Sequence, residues 1–312
     1  MRVIITGGTG LVGTKLTNSL IADGHEVIAL SRDPARKRRA EPPPGLRVER
    51  WDGRTANGWG PLADGADVIV NLAGESISGS GLIPARWTAD RKRMIIESRL
   101  NAGQAVVAAV QAARQKPKLV IQQSAVGHYG FRHDEVVTET ASAGDDFLAR
   151  VTIDWEKSTL PVEALGVRRV ITRTGLRLLI GPGGFLRPLL LIFNLLAGGP
   201  MGSGRQYWPW IHPADEVQAL RSLMTDEQAG GVFNMTAPNP VTNREFVRVF
   251  GKVLGRPAFM PAPAFALRLV LGELADALIL NGQRALPQRL LDRGFQFKYT
   301  QLEPALRDVL GK

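Results

Sequence analysis

The stretch that most constrains this chain is Val3 to Gly13. An apolar run, Val3-Ile4-Ile5, opens into Thr6-Gly7-Gly8-Thr9-Gly10-Leu11-Val12-Gly13, which reads G-x-G-x-x-G from Gly8 and G-x-x-G-x-x-G from Gly7. Glycine stands wherever a backbone must turn tightly or approach a phosphate, and side chains there would block a pyrophosphate. From Lys15 to Asp23, Leu16, Leu20 and Ile21 recur at helical spacing, so the free N–H groups of the first turn would point at an anion. Gly24 stops that helix, and Glu26 to Leu30 supplies a second strand. Strand, glycine loop, helix and strand together make the βαβ unit of a dinucleotide site, with Gly7, Thr9, Gly10, Leu11, Val12 and Gly13 expected against the cofactor.

A chain of 312 residues, 44% hydrophobic and 22% charged, has room for a nucleotide-binding domain and a smaller companion. The absence of cysteine excludes a disulfide scaffold, a thiolate nucleophile and a cysteine-ligated metal, and no metal site is expected. The net charge of +10 includes the run Arg36-Lys37-Arg38-Arg39, read as a solvated loop or a cofactor rim; no nucleic-acid module accompanies it, so no nucleic-acid partner is expected. The chain enters a strand at once, with no charged and apolar export signal, which makes the cytoplasm the expected compartment. The longest apolar stretch, Leu189 to Ala197, is interrupted by Asn194 and falls short of the roughly 20 residues that span a bilayer. No membrane partner is therefore expected, and the stretch fits a core helix or the subunit interface of a homodimer.

The second strand ends at Ser31-Arg32, nineteen residues beyond Gly13, where an Asp or Glu would serve a free ribose. A hydroxyl and a guanidinium suit a 2′-phosphate instead, which favours NADP over NAD. A third strand, Leu46 to Trp51, delivers Asp52, either as a partner for an adenine amino group or as a cap. The fourth, Asp67 to Asn71, is released by Leu72-Ala73-Gly74, small enough to let the chain pass close to the cofactor. A long helix is expected over Trp87 to Gln115 with Thr88 as N-cap, carrying Arg99 among residues that could face the cofactor. The fifth strand, Lys118 to Gln123, delivers Ser124-Ala125-Val126-Gly127-His128-Tyr129-Gly130, and the sixth is Val167 to Thr174. These elements predict an α/β fold, a doubly wound parallel sheet over residues 1–175 with a return near 205–240. A smaller, mostly C-terminal substrate domain is expected over 176–204 and 241–312.

The motifs Thr6 to Gly13, Asn71 to Gly74, Ser124 to Gly130, Asp154-Trp155-Glu156 and Trp210-Ile211-His212 together resemble the extended short-chain dehydrogenase/reductase superfamily, in its nucleotide-sugar epimerase-like branch. More narrowly, the chain is similar to the atypical "epimerase family protein" or cell-division-inhibitor-like subgroup, whose C-terminal extension matches Arg256 to Lys312. The resemblance implies a Rossmann fold and NADP. It also implies chemistry by Tyr-x-x-x-Lys, in which the tyrosine exchanges a proton and the lysine lowers its pKa. The only tyrosines are Tyr129, Tyr207 and Tyr299, with His133, Ile211 and Glu303 four residues on, and Leu148 and Thr152 align with the missing pair.

Ser124 matches the substrate-polarising serine, and Arg99 falls where the superfamily usually has asparagine. Ser124, Arg99 and Tyr129 are thus the expected catalytic set, with Tyr129 or His128 on the same loop as the substitute proton donor, and His128, Trp210, His212 and Asp215 bounding the substrate. Two functions compete: an NADP-dependent oxidoreductase or epimerase acting on a carbonyl or sugar-like small molecule, and a cofactor-binding regulatory or structural protein that has lost turnover.

Overall fold

The computed structural model describes residues 1–34, 42–79, 81 and 84–312; the basic run Arg36 to Arg39 lies outside them. Seven strands form the central sheet: β1 (Arg2–Thr6), β2 (Glu26–Ser31), β3 (Leu46–Arg50), β4 (Val68–Asn71), β5 (Leu119–Ala125), β6 (Arg168–Thr174) and β7 (Gly231–Met235). Their order is β7-β6-β5-β4-β1-β2-β3 and every pairing is parallel. Near-continuous β-branched runs such as Val3-Ile4-Ile5 and Val68-Ile69-Val70 suit strands buried on both faces.

Alternation along the strands divides the core. Val3, Ile5, Val70, Ile121 and Phe233 face α1 (Leu11–Ala22) and α5 (Pro213–Thr225). Ile4, Ile28, Ile69 and Val120 face the other way, onto α2 (Ala89–Ala112). The sheet is doubly wound, as expected, and its order reverses between β1 and β4, where ligands of such sheets bind. Thr88 caps α2, its hydroxyl accepting the Arg91 N–H.

Beyond β6 a third core gathers Leu178, Leu189, Phe193, Trp208 and Trp210 with Phe246, Val247 and Phe250 of α6 (Asn243–Leu254) and Leu302 and Leu306 of the last helix, Leu302–Leu310. Leu189 and Phe193 belong to α4 (Leu186–Asn194), and α7 (Ala264–Leu271) follows α6. Among the described residues, no helix is long and apolar enough to cross a membrane.

Candidate cofactor site

The glycine loop sits at the carboxyl end of β1, and its glycines differ in what a side chain would meet. At Gly13 a Cβ would lie 2.4 Å from the Gly7 carbonyl oxygen and 2.7 Å from Gly8 Cα; at Gly8 it would lie 2.7 Å from Ala29 Cβ. These two are needed for the loop to close on itself and on β2. Gly7 holds φ +68, a left-handed conformation that favours glycine. Gly10 is different. Its φ is −72, and a Cβ there would meet only the Gly7 carbonyl, at 3.1 Å, with the rest of its surroundings open. Gly10 is the N-cap of α1 and no side chain caps that helix, so the N–H groups from Leu11 to Gly13 face outward, ready for an anion.

Neighbouring segments complete the cradle. The Thr9 hydroxyl donates to Ser31 Oγ at 3.2 Å, tying the loop to the end of β2. The Thr6 hydroxyl donates to Asn71 Oδ1 at 2.6 Å and accepts the Ala73 N–H, and Asn71 donates on to Gln122 Oε1 at 2.9 Å. This buried polar ladder crosses the switch point from β1 through β4 to β5 and holds Leu72-Ala73-Gly74 against Gly7, whose Cβ position is 3.4 Å from Ala73. On the outer side, Leu11 packs under Gly181, and Gly183 approaches Ser76 and Gly79.

Arg32 extends from the end of β2, its side chain 74% exposed, with its stem over Gly53. Its one ion pair among the described residues, to Glu75, is long at 3.7 Å. An exposed pair of that kind contributes little, which leaves the guanidinium available. Asp52 turns its carboxylate into its own loop, accepting from the Arg54 and Thr55 N–H groups and the Thr55 hydroxyl. That is the capping alternative.

The residues expected at the reacting end are placed otherwise. β5 runs two residues further than its sequence suggests, so Ser124 and Ala125 lie inside the strand, with Ser124 paired to Arg173. Alternation then sends the Ser124 side chain toward α3 (Phe147–Ser158), where it is 1% exposed and donates to Glu156 Oε1 at 2.6 Å. Glu156 also takes both arms of the Arg173 guanidinium, at 2.8 Å each. Burial works to raise the Glu156 pKa, yet the Arg173 guanidinium and the Ser124 hydroxyl hold it below the usual carboxylate range.

Tyr129 is fully buried, its hydroxyl donating to Asn234 Oδ1 at 2.6 Å and accepting from Arg173. His128 lies against the same cluster, Nδ1 3.6 Å from Glu156, and burial lowers its pKa to about 4, so it is uncharged at neutral pH. Serine, tyrosine and histidine thus belong to one interior network rather than to an open substrate face.

Four further residues expected at the site, Arg99, Trp210, His212 and Asp215, are buried against protein partners. Arg99 lies beneath Gly74, donating to the carbonyls of Glu75 and Ile95 and stacking over Trp155; it supports the 72–75 loop, and burial brings its pKa down to about 10. Trp210 is 0% exposed and donates to the Asn239 carbonyl. His212 caps α5, Nδ1 accepting the Ala214 N–H, while Asp215 accepts the N–H groups of Lys298 and Tyr299. Asp215 thereby anchors the C-terminal segment, and His212 Nε2 meets it at Asp308, 3.1 Å away. Of the residues aligned with the tyrosine and lysine, Leu148 packs over Gly127, and the buried Thr152 returns its hydroxyl to the Ala149 carbonyl.

Sequence reasoning missed Glu156 and Arg173 as a pair. The signal was there: Leu148, Thr152 and Glu156 recur every four residues on one helix face, and an arginine inside an apolar strand needs a partner.

Comparison with known proteins accords with this architecture. The NAD dependent epimerase/dehydratase family model matches residues 3–153, and the model of a domain of unknown function, DUF1731, matches 262–309. The epimerase family protein YfhF of Bacillus subtilis is 38% identical over 320 residues, spanning 99% of this chain and 98% of its own. The chain belongs to the epimerase family proteins. A crystal structure of another member, human SDR39U1 (isoform 2) with NADPH, superposes with a TM-score of 0.86 at 36% identity over 100% of both chains. A nucleoside-diphosphate sugar epimerase from Corynebacterium glutamicum, also 36% identical, matches with a TM-score of 0.76 over 100% of this chain and 58% of that one. This member carries the glycine loop at residues 7–13 and has no Tyr-x-x-x-Lys in its sequence.

Proposed function

We propose that this chain is an NADP(H)-binding protein in which cofactor binding is retained and the short-chain proton relay is lost. In this reading Gly7, Thr9, Gly10, Leu11, Val12 and Gly13 cradle the pyrophosphate, Leu72-Ala73-Gly74 flank it, and Ser31 and Arg32 take the 2′-phosphate. Bound NADPH would supply a hydride. One observation carries the second half of the reading: the hydroxyl expected to polarise a substrate and the one expected to supply a proton are both committed elsewhere, Ser124 to Glu156 and Tyr129 to Asn234. That favours the regulatory or structural reading over an oxidoreductase or epimerase.

A panel of carbonyl and sugar-like compounds tests this second half. NADPH is expected to bind and to stay unoxidised above the buffer rate; sustained oxidation with any compound would return the protein to the enzymes.

The first half is tested by calorimetry with both cofactors. NADPH is expected to bind more tightly than NADH, and Arg32→Ala to narrow the gap by about tenfold to a hundredfold, the worth of a charged hydrogen bond to phosphate. Equal affinity for the two cofactors in the unsubstituted protein would overturn the assignment of Arg32.

A further inference from the structure

α7 turns its largest side chains to solvent. Phe265 is 73% and Leu269 75% exposed, four residues apart on one helix face, with Val270 beside them. Phe259, 75% exposed, and Met260 immediately precede the helix. Here the chain runs beside the end of α4: the Met260 N–H donates to the Gly198 carbonyl and the Ala262 N–H to the Pro200 carbonyl. Leu195 and Leu196 are thereby brought alongside, and Leu191 lies one turn back on the face of Leu195. Leu196 holds φ +59, a left-handed conformation that a leucine adopts only at a cost. Eight exposed apolar side chains are thus gathered on two segments held together by backbone hydrogen bonds, where exposed apolar residues on a soluble monomer are ordinarily scattered singly.

The rim of this surface is cationic. Arg187 stands one turn before Leu191 on α4, Arg256 three residues before Phe259, and Arg86 donates to the Leu269 carbonyl. Among the described residues, none of these three arginines forms an ion pair. The nearby acids are taken, Glu273 by Lys92 and Asp276 by Arg268. We propose that this face docks on the surface of an anionic lipid bilayer, the aromatic and aliphatic side chains entering the headgroup boundary and the arginines meeting phosphates. A second copy of the chain on the same face would set arginine rim against arginine rim, on a molecule that already carries +10. The bilayer-spanning length that led to an expectation of no membrane concerns insertion, which is a different mode from docking.

The test is co-sedimentation with vesicles of phosphatidylcholine alone and of equal parts phosphatidylcholine and phosphatidylglycerol. The protein is expected with the mixed vesicles, and high salt should release it. The double variant Phe265→Ser with Leu269→Ser should reduce partitioning at least about tenfold, and Arg187→Glu and Arg256→Glu roughly fivefold for each cation removed. Circular dichroism and melting should be unchanged, because none of the four side chains is in the core. Failure to sediment with mixed vesicles, or a double variant that sediments like the parent, would overturn the proposal. So would a dimer in analytical ultracentrifugation that the same double variant converts to monomer, since the face would then belong to a second copy.

Discussion

Gly10→Val is expected to abolish measurable NADPH binding, a loss of at least about a hundredfold, while the circular dichroism spectrum and melting curve stay native. The expectation follows from the open surroundings of Gly10: its φ of −72 is ordinary for any residue, and an added Cβ meets one carbonyl oxygen at 3.1 Å. The isopropyl group would instead fill the space before the uncapped N-terminus of α1. Two charge-assisted hydrogen bonds lost from the pyrophosphate, at about 1.5–3 kcal/mol each, account for the magnitude. Gly13→Val is the contrast. Its Cβ would press on backbone at 2.4 and 2.7 Å, so the loop itself must distort and the melting temperature fall with the affinity. Retained NADPH affinity in Gly10→Val would mean that the glycine loop serves only as a turn.

Glu156→Ala is expected to destabilise the fold by about 3–5 kcal/mol, because it strands the Arg173 guanidinium in the interior with the Tyr129 hydroxyl as its one remaining hydrogen-bond partner among the described residues. Replacing both members of the pair, Glu156→Leu with Arg173→Met, should recover most of the loss, since no charge is then left buried. Urea denaturation of the three proteins reads both effects; a cost below about 1 kcal/mol for Glu156→Ala would indicate that water reaches the pair. The pH dependence has a definite sign. The folded pKa of Glu156 lies below its ordinary value, so the pair's contribution is complete above the unfolded carboxylate pKa and is lost as pH falls through the lower folded one. The destabilisation by Glu156→Ala should therefore shrink in acid.

The cradle was legible in the sequence because its logic is local: glycine spacing, an apolar run before it and a helical period after it are all read within thirty residues. Doubly wound topology followed from repeating that pattern. The surroundings of the expected reacting end were not legible because one strand boundary was read short by two residues. With β5 ending at Gln123, Ser124 is a free loop residue; with β5 reaching Ala125, alternation turns Ser124 into the interior. The burial of Tyr129, Trp210 and Asp215 was out of reach for another reason. Their partners, Asn234, Asn239 and the Lys298–Tyr299 backbone, lie 105, 29 and up to 84 residues away, and no window of sequence reports such contacts. The apolar run from Leu189 was visible, but which of its leucines would stay uncovered was not.

The way the C-terminal segment is fastened bears on what a fragment of this protein could be. Arg289 donates to the carbonyls of Gly230 and Val232, Asn234 donates to the Leu286 carbonyl, and Arg284-Ala285 pair with Val136-Val137, so the segment lies along β7, the outermost strand of the sheet. A chain ending before residue 262, where the second family model begins, would bare that strand's unpaired N–H and C=O groups. It would be a template for strand addition between molecules rather than a smaller nucleotide-binding unit. A fragment of residues 1–261 is thus expected to aggregate, and the two matched regions to be needed together for a well-behaved fold.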